Sequence, residues 1–235
     1  MNKKNLLVVS LFFVLFLILS FNLNQKKNTN SNNLNNKYEE YVVDSGDMIK
    51  EKDLSVSILD LNITAEEKAG LILMREEEKL ARDVYRHLGE KWGMNIFFNI
   101  ADSEQTHTNA IKVLLERYGV EDPVKDDISG KFTSLEMSKL YEELIQKGEK
   151  SIVDAIMVGA IIEDLDIKDL EVLLGQTTKE DIVLTYKNLQ KGSRNHLRAY
   201  SKNLDRQGIT YAPQYISEEI YKQIISSEQE RGTVK

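Results

Sequence analysis

A chain of 235 residues with no cysteine and only two prolines can hold one sizeable domain with tails, and it excludes disulfides, zinc-thiolate sites and cysteine nucleophiles. Its formal net charge of -7, with no basic run beyond Lys26 and Lys27, speaks against a nucleic-acid partner, which would need a clustered cationic face. An acidic surface suits small cations instead.

Lys3 and Lys4 precede a nearly unbroken apolar run from Leu6 to Leu23, long enough to cross a bilayer. The run directs the chain to a membrane, either as an uncleaved anchor or as a signal peptide that is removed. No Ala-x-Ala-like cleavage site and no cysteine for lipid attachment follows it. The positive-inside rule keeps the two lysines in the cytoplasm and the remainder outside. The protein is therefore expected to be membrane-anchored and outward-facing, or secreted or periplasmic after cleavage. Residues 24–60 read as a flexible linker: the stretch to Asn36, dominated by Asn, Lys, Ser and Thr, has too few apolar groups to offset ordering entropy, and Tyr38 to Asp60 is mixed, with Tyr41, Val42, Val43, Leu54 and Ile58 as the contacts it offers.

The domain proper spans residues 61–207. Thr64 and Glu67 form a capping box that opens a helix running to about Trp92, before Gly93. At about 100° per residue, Leu71, Met74, Glu78, Ala81, Tyr85, Leu88 and Trp92 share one stripe, and Glu78 is the exception in an apolar list. Glu76 and Glu77 point elsewhere and are expected in solvent. His87 falls on the opposite side and reads as a surface histidine.

A second helix, about Asn95 to Tyr118, carries Phe97, Ile100, Glu104, His107, Ile111 and Leu114 on its stripe. Both polar members of this Glu-x-x-His pair thus face the interior, where neither is tolerated without a partner. After Pro123 a long connection holds one short helix, Ser134 to about Gln146, and lets the next helix lie parallel to its predecessor. The third long helix starts near Ser151, and Ile152, Ile156, Gly159, Glu163, Asp166 and Leu170 make its stripe. Asp164 and Asp169 lie off it and are expected to face solvent.

The fourth helix follows Gly175, with Thr177 and Thr178 as capping candidates, and runs to about Leu204. Ile182, Tyr186, Leu189, Ser193, His196 and Tyr200 share its inner face. Gly192 within it costs roughly 1 kcal/mol against Ala and points to close packing. Residues 208–235, with a short helix from Ser217, read as an extension folding over one end of the bundle.

The inward polar set is Glu78, Glu104, His107, Glu163, Asp166 and His196. Ionised and alone, it would place a charge of about -4 in an apolar core. Two divalent cations would cancel that charge, and carboxylates mixed with imidazoles favour iron or manganese. For any single acid, a hydrogen bond or an interface groove is the plainer explanation. It weakens when four helices each supply polar groups at their midpoints.

The segments EEEKLARDVY, SEQTHTNAIKVLLERYG, GAIIEDLDIKDL and GSRNHLRAY resemble the ferritin-like superfamily, and more narrowly the prokaryotic family called domain of unknown function 2202. The resemblance covers roughly Leu61 to Gln207 and implies an all-α, ferritin-like four-helix bundle with a crossover connection. The Glu78, Ala81, Tyr85 spacing and the pair Glu163 and Asp166 also resemble rubrerythrins. By that resemblance Glu78, Glu104 and His107 would hold one iron, and Glu163, His196 and Asp166 the other, with Glu104 and Glu163 as bridges. The family pattern has a second Glu-x-x-His on the fourth helix, where this chain has Ser193. Either Asp166 replaces the missing ligand or the second ion is held weakly.

Two functions compete. One is an oxidoreductase in which a di-iron centre meets dioxygen, peroxide or Fe(II), fed by a separate electron donor because the chain has no cysteine for an electron-delivering iron module. The other is a non-catalytic iron- or manganese-binding or interaction module tethered at the cell envelope. Tyr85 and Tyr200 would tune the centre or relay an electron in the first, and simply pack in the second. A homodimer is a further partner left open, and a closed storage cage is disfavoured by a membrane tether on every subunit.

Overall fold

The computed structural model describes residues 61–234 and, ahead of them, two short strands, β1 (Val43–Asp44) and β2 (Asp47–Met48), paired antiparallel with Val43 opposite Met48. The expected membrane segment and the rest of the expected linker lie outside the described residues. That two-residue ladder is the one departure from an all-helical chain among the described residues, where six helices follow: α1 (Ala65–Trp92), α2 (Asn95–Arg117), α3 (Leu135–Gly148), α4 (Ile152–Leu174), α5 (Glu180–Arg206) and α6 (Glu218–Ser226). None of them is long and apolar enough to cross a membrane.

Local chemistry sets most of the ends. Both halves of the capping box are present, with Glu67 N–H donating to Thr64 Oγ1 at 3.1 Å and Thr64 N–H to Glu67 Oε2 at 2.8 Å. Gly93 closes α1 in the left-handed region at φ 65°, a conformation that costs glycine nothing. Ser134, Ser151 and Ser217 each cap the helix they precede. The start of α5 is a correction: its N-cap is Lys179, and neither Thr177 nor Thr178 caps it. The Thr177 hydroxyl donates instead to Glu67 Oε1 at 2.7 Å, which ties the entry of α5 to the entry of α1.

The directions of the four long helices follow from their contacts. Gly70 of α1 lies against Leu173 of α4, and Tyr85 reaches Gly159, so α1 and α4 are antiparallel. Phe97 packs on Tyr200 and Arg117 pairs with Asp181, so α2 and α5 are antiparallel as well. Since α1 turns directly into α2, helices α2 and α4 run parallel, and the connection with α3 crosses the length of the bundle between them.

The apolar core is in two parts. One gathers Leu71, Met74, Ile111, Leu114, Leu170, Ile182 and Leu189; the other Ala81, Tyr85, Phe97, Ile156, Leu197 and Tyr200. What separates them is a polar layer at the middle of all four helices.

The extension does not fold over an end. It runs along the bundle at mid-height, with Asp164 accepting from the Tyr211 hydroxyl at 2.7 Å and from the amides of Gln214, Tyr215 and Ile216. Further on, Glu230 pairs with Arg194 and Arg198 of α5.

Candidate metal centre

Glu78 comes from α1, Glu104 and His107 from α2, Glu163 from α4 and His196 from α5. One ligand atom from each of Glu78, Glu104 and His107 lies within 4.8 Å of the others, and the same holds for Glu104, Glu163 and His196. Glu104 belongs to both groups. Its Oε2 faces His107 Nδ1 at 2.7 Å and its Oε1 faces His196 Nδ1 at 2.8 Å. Glu78 Oε2 lies 3.3 Å from the first imidazole and Glu163 Oε2 3.4 Å from the second. The two rings stack at 5.8 Å between centroids.

Not all of these short distances are hydrogen bonds. His196 Nδ1 and Glu104 Oε1 are close but out of line as donor and acceptor, so both remain without a hydrogen-bond partner, as does Glu78 Oε1. Buried polar atoms are rarely left this way. Three orphaned ligand-type atoms converging on one layer form a donor set that a metal ion could occupy.

The neighbourhood is shaped to hold the ligands. A Cβ on Gly192 would sit 2.5 Å from His107 Cε1 and 2.7 Å from Nε2, so only glycine leaves room for that imidazole. A Cβ on Gly159 would meet the Tyr200 ring at 2.5 Å. Tyr85 donates its hydroxyl to Glu163 Oε1 at 2.5 Å and packs on Tyr200 and Phe97, so this tyrosine both orients a candidate ligand and fills the core.

Electrostatics without a cation show the strain of the layer. Burial pushes the Glu104 carboxyl up, but the His107 and His196 imidazoles outweigh it and hold the group well below the usual carboxylate range. Burial would lower both imidazoles, yet Glu104 and Glu78 raise His107 well above its ordinary value, and Glu104 and Glu163 raise His196 to about 10. Glu78 is pushed well up by burial and then by Asp166. Asp166 is lifted to about 8 by burial and the Glu163 charge. Protons thus do the neutralising that the sequence reading assigns to metal ions.

The match to known proteins covers most of the described chain. Residues 67–228 fit the family described as uncharacterized protein domain DUF2202. The chain belongs to this family. It is 58% identical over 170 residues to an uncharacterized protein of Methanocaldococcus jannaschii, covering 72% of this chain and 92% of that one. It is also similar to a crystal structure of a hypothetical protein from Methanococcus jannaschii, with a TM-score of 0.72 and 56% identity over 74% of this chain and 99% of that one.

Within the DUF2202 domain, five of the six expected residues converge and the sixth stands aside. Asp166 joins neither triad; its Oδ2 accepts a short hydrogen bond from Ser193, the residue in the place of the missing glutamate. His87 lies at the surface, paired with Glu149 at 2.9 Å. Four acids expected in solvent are not there. Glu76 is 4% exposed and accepts from the amides of Thr133 and Ser134; Asp164 is fully buried under the extension. Asp169 is buried, and Glu77 turns toward it and Asp166, which, after burial, push the Glu77 carboxyl well up. The single-stripe argument failed here because α1, which carries Glu76 and Glu77, and α4, which carries Asp164 and Asp169, are each enclosed on more than one side. The mixed run Arg75, Lys79, Arg82, Asp83, too regular for a purely solvated face, was the available signal.

Proposed function

We propose that this protein is a ferritin-like di-metal, and specifically iron-binding, protein. Glu78, Glu104 and His107 would hold one ion, Glu104, Glu163 and His196 the other, and Glu104 would bridge them. The observation that carries this reading is the doubly shared Glu104, a carboxylate 2% exposed whose two oxygens serve two different Glu/His groups. Hard oxygens mixed with imidazoles suit iron, with manganese as the alternative. Two irons so held would supply one-electron oxidation of each ion against dioxygen or peroxide. Asp166, bonded to Ser193, would stand beside the centre as a hydrogen-bonding group, so each ion would be left with two carboxylates, one of them the shared Glu104, and one imidazole.

The chain's own groups would orient and shield the centre. Tyr85 holds Glu163, Gly192 admits His107, and the two apolar clusters above and below exclude water. Electrons would come from a separate donor, since the sequence has no cysteine. The apolar run Leu6–Leu23 supports a place at the cell envelope, facing outward.

Anaerobic loading with Fe(II) followed by metal analysis tests the reading. Two irons per chain are expected, and fewer than one would overturn it. Glu104→Ala should lose both ions at once, with a fall in melting temperature that iron no longer reverses. Identical melting of the wild type with and without iron would contradict that coupling. The second reading, metal binding without turnover, is favoured by Ser193; two irons with no consumption of dioxygen or peroxide would select it.

A further inference from the structure

Against the carboxylate side of this layer the fold leaves a cavity of about 40 Å³. That is room for about three water molecules. Its floor is formed by Glu77, Glu78, Glu104, Glu163 and Asp166. Its walls are aliphatic, from Leu140 and Leu144 of α3 and Ile161 and Leu165 of α4. Leu140 and Tyr215 stand at the mouth, where the extension held by Asp164 passes α3, and are partly buried, as are Glu77 and Asp166 at the acidic end. Neither candidate-ligand histidine borders the space.

Three features select what can occupy it. Among the described residues no lysine, arginine or histidine lines the cavity, while five acids do, so an anion is repelled from its floor. Between Tyr215 at the mouth and the acids at the floor, the leucine and isoleucine walls present no oxygen to replace the hydration shell of a cation. At the floor, Glu78 Oε1 and Glu104 Oε1 are buried and unpartnered, so the polar end of the space is aimed at whatever the centre holds.

We propose that this cavity is the entry and holding site for a small uncharged molecule of about three non-hydrogen atoms or fewer, of the dioxygen or hydrogen peroxide class. The proposal rests on the di-metal reading above and adds its substrate route: through the gap between α3, α4 and the Tyr215 segment, onto the carboxylate face of the centre. Leu144 and Leu140 determine how large a molecule passes.

Xenon tests the space on metal-free protein, and nitric oxide tests the route on iron-loaded protein. In crystals under xenon pressure, the wild type should show xenon between Leu144 and the Glu78 carboxylate, and Leu144→Phe should show none. An empty wild-type cavity, or xenon undiminished in Leu144→Phe, would overturn the proposal. With Fe(II) loaded, nitric oxide should bind tenfold or more slowly in Leu144→Phe and faster in Leu140→Ala, with equal iron content in all three proteins. Leu140 lies at the partly open mouth, so its variant carries the test should Leu144→Phe fail to fold. Unchanged nitric oxide rates would show that the route lies elsewhere, and iron uptake slowed without any change for nitric oxide would make the cavity a cation path; either result sinks the proposal. Absence of iron from all three would instead sink the metal reading, because the xenon result is read without metal.

Discussion

At Gly192 two effects of opposite sign compete, which makes the position a sharp test. Replacing a helical glycine by alanine ordinarily gains about 1 kcal/mol. Here the added Cβ would lie 2.5 Å from the His107 ring, and overpacking of this kind costs about 1 to 3 kcal/mol. Gly192→Ala is therefore expected to lower the denaturation midpoint and to reduce bound iron, measured side by side. A more stable variant with full iron content would show that the imbalance has been misjudged. At the same scale, the protons on the metal-free layer give pH a defined sign. His196 is raised from 6.5 to about 10 and Asp166 from 3.8 to about 8, so the folded metal-free protein binds more protons than the unfolded chain over both windows. Stability from these groups must fall as pH rises, most steeply where the windows overlap, from about 6.5 to 8. On the proposed di-metal reading iron would compete with the same protons, so its binding should tighten across that range and release protons into a weakly buffered solution. Melting curves of metal-free and iron-loaded protein, taken from pH 6 to 9, should diverge as pH increases.

Among the elements, α1 carries two buried faces, as α4 does under the extension. Its inner face supplies Glu78, while its outer face is clamped by the crossover connection. Arg75 pairs with Asp122 at 3.1 Å, and Arg82 with Asp83 at 2.8 Å and Asp127 at 2.5 Å. Lys79, with its side chain fully buried, pairs with Asp83 at 2.5 Å, donates to Ile128 O at 2.9 Å and lies over the Phe132 ring. Asp83 is the hinge of this network because it serves Lys79 and Arg82 together. Asp83→Ala would leave a buried ammonium with only a carbonyl and should cost about 3 to 5 kcal/mol, read as a shift in the urea midpoint. By contrast, truncating the exposed pair of Lys222 and Glu218 should leave that midpoint unchanged. The network also fixes the path of residues 118–134, and so the placement of α3 over the cavity.

For the whole molecule, the extension after α5 acts as a strap at the height of the centre. Asp164 stands one residue after Glu163, and it anchors Tyr211 through Ile216 by four hydrogen bonds. Asp164→Ala would orphan three backbone amides, each costing about 1 to 3 kcal/mol unless water reaches them. Amide exchange over residues 211–216 should then accelerate about tenfold or more, while the four long helices keep their protection. Uniform acceleration across the helices would mean that the strap is part of the global fold and not a local unit.

How much of this was readable without coordinates depends on the range of the force involved. Helix starts such as Thr64 with Glu67, Ser151 and Ser217 rest on contacts three residues apart, so the chain alone determines them. The inward turn of Glu78, Glu104, His107, Glu163 and His196 was equally legible, because a 3.6-residue period places them on stripes that must be buried. Distances between residues far apart in the chain, from Glu78 to Glu104 up to Glu78 to His196, were not. Whether Asp166 meets the triads or Ser193, which acids lie under a strap, and what encloses the second face of α1 depend on how separate elements pack. A periodic pattern identifies one buried face of a helix and is silent about a second, and a lone acid off the stripe looks the same whether water or a buried loop covers it. The sequence determined that this is a helical chain with a carboxylate-histidine layer at its middle. The tertiary structure decided that the layer closes around one shared carboxylate, Glu104, because only packing fixes which oxygen faces which imidazole.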